Sequence, residues 1–137
     1  MTARFLRYQA TTPTARGSFT GVFGLANGLA RSGRLTEAEW RWWRAANDRF
    51  DAAYPNPART DSALFDKTVH PVTSCWFRAT ATALLDGIPG YLQLLDRYGV
   101  GWHRLESDDP GRVLYSDDYQ VVVVPYPNAS TPPSSVW

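Results

Sequence analysis

Residues 73–99, TSCWFRATATALLDGIPGYLQLLDRYG, decide the fold. Leu84, Leu85, Ile88, Tyr91, Leu92, Leu94, Leu95 and Tyr98 recur at three- and four-residue steps, the spacing of one helical face. The stretch therefore predicts two core helices joined at a Gly-Ile-Pro corner. A Thr73 or Ser74 hydroxyl would cap the first, and Trp76, Phe77 and Ala81 would extend its apolar face. Gly87 would end that helix. Pro89 would open the second, because a first turn does not need its missing amide hydrogen, and Gly99 would end it.

Upstream, RFLRYQ (residues 4–9) alternates loosely and reads as a first strand, followed by a loop with Pro13 and Gly17. Phe19, Val22, Phe23, Ala26, Leu29 and Ala30 share a helical face, with Ser18 as the expected cap and Gly33 as the stop. Gly21, Gly24 and Gly28 inside that helix suggest close approach of another backbone. Thr36-Glu37-Ala38-Glu39 has the form of a capping box, in which the Thr and Glu side chains each satisfy an amide of the other. From it a second helix carries Trp40, Trp43, Asn47, Phe50 and Tyr54 on one face as far as Pro55, and the two helices should form a hairpin. Trp42 falls off that stripe, which leaves it a second contact or an exposed position.

Residues 55–72 form a long connection with few periodic positions, pinned to the core by Ala63-Leu64-Phe65. Connections of this length inside a domain tend to carry function. After the central helices, residues 100–105, 112–115 and 119–124 read as strands separated by Asp-rich turns. The four consecutive valines, Val121–Val124, lack alternation and predict an interior strand covered on both faces, lying on or near the first strand. The expected fold is a single α+β domain over residues 1–125. A small, mostly antiparallel sheet, made of the N-terminal strand and a C-terminal meander, packs with the helix hairpin and a two-part central helix. A Pro- and Ser-rich segment, 126–137, reads as a flexible tail.

Composition narrows the function classes without choosing one. The 137 residues are 44% hydrophobic and 20% charged, the profile of an ordinary globular domain. A net charge of +1 gives no global electrostatic drive toward nucleic acid, although Trp40-Arg41-Trp42-Trp43-Arg44 mixes cations and stacking groups as single-strand binders do. Nucleic acid is therefore not the expected partner. A single cysteine excludes an internal disulfide and a multi-cysteine metal site, and no apolar run is long enough to span a membrane, so a cytoplasmic protein is expected. No cofactor and no metal is implied. Asp108-Asp109 and Asp117-Asp118 lack the spaced carboxylates of a calcium loop and suit turns instead.

The segment His70-Pro71-Val72-Thr73-Ser74-Cys75 leads a long loop into the expected helix start, where free amides and the helix dipole favour an anion. Lys67, Arg59 and Arg78 are near in sequence. His70, Thr73, Ser74, Cys75, Arg78 and Lys67 are therefore the candidate ligand-binding residues. Cys75 in a first helical turn is also a candidate nucleophile, with His70 or His103 as the only available histidine bases. Three segments taken together, FTGVFGLANGLARSGRLTEAEW, DRFDAAYPNP and DPGRVLYSDDYQVVVVP, resemble short, high-GC, actinobacterial-type proteins of uncharacterised function. The likeness covers nearly the whole chain up to Tyr126 and implies no particular activity or site residue.

Two functional readings follow. One is a cytoplasmic binding or interaction module with a small-anion pocket at residues 70–78, forming a homodimer through the sheet or through Trp42. The other is a small enzyme that uses the same junction on a phosphate- or carboxylate-bearing substrate. A closed concave pocket with converging polar groups would separate a ligand site from a flat interaction surface.

Overall fold

In a computed structural model, residues 3–126, apart from Ser62 and Pro71, form ten elements. In chain order they are β1 (Phe5–Ala10), α1 (Val22–Arg31), α2 (Glu37–Ala53), α3 (Pro57–Thr60), β2 (Ser74–Arg78), α4 (Thr82–Asp86), α5 (Ile88–Arg97), β3 (Trp102–Ser107), β4 (Arg112–Ser116) and β5 (Gln120–Val124). The strands make one five-stranded sheet in the order β3-β1-β2-β5-β4, with every pairing antiparallel. The fold class is α+β. The expected tail lies, beyond Tyr126, outside the described residues.

The main correction falls on the stretch that opened the sequence reading. Ser74–Arg78 is not the first turn of a helix but the central strand β2, and the helical part begins only at Thr82. The reason is burial on both faces. Phe77 lies in the larger core and Trp76 in a smaller cluster with Phe5, Val121 and Val123. A central strand that is apolar on both sides loses its period of two, and a short run of this kind cannot be told from a buried helix end. β2 also separates β1 from the valine strand, and β3 pairs with β1 at the far edge from β4 and β5. The C-terminal strands thus divide between the two edges. Val121, Val122 and Val123 are all buried, as the lack of alternation indicated.

The helical layer follows the residue pattern closely. Thr36 and Glu39 form the reciprocal capping box at the start of α2. Pro89 sits in the first turn of α5, and Gly99 follows that helix with φ 67°, a conformation that a side chain would strain. The corner between α4 and α5 is shaped by aromatic rings of α2. A Cβ at Gly90 would stand 2.5 Å from Trp42 Cζ2, and one at Gly87 would stand 2.7 Å from Phe50 Cζ. Trp42 therefore makes the second contact, lying over Gly90 and meeting Tyr91 edge-on with ring centroids 5.2 Å apart.

Polar bonds fix the register of three helices. Asn27 Oδ1 accepts from Trp43 Nε1 at 3.0 Å and from Asn47 Nδ2 at 3.1 Å, while Tyr91 OH donates to Asn47 Oδ1 at 2.7 Å. Around them Phe23 meets Phe50, Phe77 and Tyr91 edge-to-face, each pair adding about 0.5–1.5 kcal/mol beyond its buried area. The long connection is partly structured by α3 and is pinned through Leu64, which is 1% exposed.

Two predictions follow from this packing. Leu95 is fully buried, so Leu95→Ala should cost about 2–5 kcal/mol in urea denaturation. Leu85 is only half-buried, and its replacement should cost less. Glu39 accepts from Tyr98 OH, from the Thr36 amide and from Arg97, and these bonds, Tyr98 first, hold its carboxyl below the usual value. A depressed folded pKa means stability that is present above the unfolded value, about 4.3, and is lost as pH falls through the folded one. The melting-temperature gap between the parent and Glu39→Gln should therefore be widest near pH 7 and close as the solution is acidified below about pH 4.

Candidate functional site

β1 and β2 share only two register positions, Phe5↔Arg78 and Leu6↔Phe77, after which the strands part. In place of β2, the segment before α1 comes alongside β1: Gln9 bridges Gly21, and the Ala10 amide donates to the Thr20 carbonyl at 2.8 Å. Arg7 fills the fork. Its Nε donates to Gln9 Oε1 at 2.7 Å, one terminal nitrogen to the Cys75 carbonyl at 2.8 Å and the other to the Phe19 carbonyl at 2.7 Å. The side chain thus satisfies backbone acceptors left without a ladder partner where the sheet splits.

Arg7 is 7% exposed and has no carboxylate partner among the described residues. Burial pulls its guanidinium below the ordinary value, yet arginine keeps its charge at neutral pH. A buried cation without a counter-charge is costly, because hydrogen bonds to neutral oxygens replace only part of its hydration.

The fork opens into a cavity of about 340 Å³. Arg7 and Lys67 line it together with Ser74, Cys75 and the first turn of α1, and no Asp or Glu does. α1 has Gly21 as its N-cap, with no side chain accepting from its first amides. Ser18 does not cap this helix; it instead bonds Thr14, with the two hydroxyl oxygens 2.9 Å apart. Gly21 faces a side chain rather than a backbone, since a Cβ there would stand 3.3 Å from the Arg7 guanidinium.

Four of the six predicted ligand residues, Lys67, Thr73, Ser74 and Cys75, line this cavity. The two others do not. Arg78 points to the opposite face, donating to the Asp117 carbonyl and the Ser116 hydroxyl, both at 2.7 Å, and covering the Phe5 ring. His70 bonds through its amide to the Asp66 carbonyl and stands outside the lining. The positive helix end expected at Ser74 does not exist there, because those amides belong to a strand; the helix start that lines the cavity is that of α1. Arg7 is the residue that sequence reasoning missed. An arginine between Phe5, Leu6 and Tyr8 hinted at a special environment, but only the splitting of the sheet supplies one.

A second cavity, also about 340 Å³, adjoins the first, with Phe23, Phe77 and Gln120 in the walls of both. The acidic turns serve as turns: Asp117 Oδ1 accepts from the Tyr119 and Gln120 amides, and Asp108 Oδ1 from the Arg4 amide. Among the described residues, no group of three or more His, Cys, Asp or Glu side chains could hold a metal ion, and no helix is long and apolar enough to cross a membrane.

In the α+β class that this sheet and helix layer define, the comparisons give no further guidance: the chain matches no protein-family model, no curated protein and no solved structure.

Burial pushes the Cys75 thiol up, and the nearby Arg7 charge only partly opposes this. Cys75 should therefore be protonated at neutral pH and react with iodoacetamide more slowly than free cysteine. Its alkylation rate should still be rising at pH values where an ordinary thiol, with a pKa of about 8.5, has levelled off.

Proposed function

We propose that the protein is a binding module for a small anionic ligand, held in the fork between β1, β2 and the start of α1. The observation that carries the proposal is Arg7, a buried guanidinium that bonds neutral oxygens alone and lines a cavity with a second cation and no carboxylate. A phosphate or carboxylate there would provide the missing counter-charge, and the amides in the first turn of α1 would add donors and a favourable dipole. The concave shape favours a ligand over a flat protein contact. The homodimer through Trp42 is no part of this proposal, since that ring lies against Gly90 and Tyr91.

The enzyme alternative has less support. A thiol raised by burial is a poor nucleophile, and neither His70 nor His103 lines the cavity as a base.

Phosphate should raise the melting temperature beyond chloride at matched ionic strength, and the increment should saturate. A ligand present at a hundredfold excess over Kd adds about 2.7 kcal/mol of stability. Phosphate also strengthens folding generally through exclusion from the protein surface, an effect that grows without saturating. Lys67→Ala, at an exposed position, should shrink the saturating part and leave the general one. An increment that is linear in phosphate and equal in both proteins would remove the anion site.

A further inference from the structure

The two adjoining cavities differ in chemistry. The first has two cations, Arg7 and Lys67, and no acid in its lining; the second has one acid, Asp51, and no cation. Aromatic rings and amide side chains supply most of the rest of the second: Phe50 and Tyr54 on one side, and Asn27, Asn56 and Gln120 around them. Asn27 spends its oxygen on Trp43 and Asn47, and its Nδ2 donates to no partner among the described residues. Gln120 donates from Nε2 to the Pro55 carbonyl at 3.0 Å, and its oxygen is likewise unpaired among the described residues.

Flat aromatic walls with both donors and acceptors at the rim are the surroundings in which proteins hold an unstacked nucleobase, by stacking and by bonds to its pairing edge. The Asp51 carboxylate would accept from ring or exocyclic N–H groups and repel a phosphate. Arg7 and Lys67 do the reverse. A ligand with an anion at one end and an N–H-bearing ring at the other would therefore enter in one orientation only. Ligand pockets commonly measure about 300–1,000 Å³, and two joined cavities of about 340 Å³ each fall within that range.

We infer that the two cavities form one bipartite site for a nucleoside monophosphate, with the phosphate at Arg7 and Lys67 and the base between Phe50, Tyr54 and Asp51. This rests on the anion-binding proposal and adds the class of ligand to it. Phe23 and Phe77, whose ring centroids are 5.9 Å apart, form the waist between the two halves. The sugar would cross there.

Calorimetric titration of the full chain tests this, with inorganic phosphate, the four common ribonucleosides and their 5′-monophosphates as probes. The proteins are the parent, Lys67→Ala and Asp51→Ala, both substitutions being at exposed positions that leave the core untouched. At least one monophosphate should bind about tenfold or more tighter than both inorganic phosphate and its own nucleoside. Lys67→Ala should weaken phosphate and monophosphate alike, and Asp51→Ala should weaken the monophosphate alone. Saturable phosphate binding with no monophosphate tighter overturns the bipartite site and leaves the anion proposal standing. A nucleoside as tight as its monophosphate, with Lys67→Ala indifferent, overturns both. So does the absence of saturable binding by any probe.

Discussion

The fold turns on what Arg7 does where the sheet splits. Two strands that part inside a sheet expose carbonyls that must find donors, and water reaches a buried fork poorly. A guanidinium is suited to the task, because its planar fork of five donors can reach several oxygens without the entropy loss of ordering several side chains. Arg7 joins β1, through Gln9, to the Cys75 carbonyl of β2 and the Phe19 carbonyl ahead of α1. It thereby fixes the point at which the chain leaves the sheet to start its first helix. The same bonds hold a positive charge inside the protein with only neutral partners, so the interaction that closes the fork also makes its electrostatic environment incomplete.

The helical layer determines how far the cavity beside that charge extends. α1, α2 and α5 are tied by the Asn27, Asn47, Trp43 and Tyr91 bonds, and the rings of Phe50 and Trp42 press onto Gly87 and Gly90. Glu39 closes the other end, since one carboxylate caps α2 and also accepts from Tyr98 and Arg97 just past and at the end of α5. With the helices held in this way, Phe23 reaches Phe77 on the sheet and stands between two openings. Apolar packing is complete toward α5 and incomplete toward the fork, where Gln120 and the two cavities lie. Natural proteins commonly leave local rules unsatisfied where a site is built, and here the uncompensated charge, the uncapped helix and the cavities coincide.

Much of this was legible from residue order. The capping box, the stripe Trp43, Asn47 and Phe50, the corner at Gly87-Ile88-Pro89 and the buried valines follow from local hydrogen bonding and from the spacing of apolar residues, and each appears in the structure. Lys67, Thr73, Ser74 and Cys75 were also found, although for a helix start that is a strand. They share a cavity because a loop running into a central strand, like one running into a helix, delivers its last residues to the edge of the core.

Periodicity alone determined the helices, since a half-exposed helix must show its face in the sequence. It could not determine β2, because a strand buried on both sides shows no face. Nor could it determine the position of Arg7 or the direction of Arg78. Side-chain parity along a strand assigns a residue to one of two faces, but which face is covered, and where neighbouring strands diverge, depends on contacts between segments about seventy residues apart, such as Arg7 with Cys75. The sequence by itself determined the α+β class and the helical core. The tertiary structure alone decided that β2 lies between β1 and β5, and with it the fork, its buried charge and the cavity beside it, because strand order is set by long-range pairing that leaves no local mark.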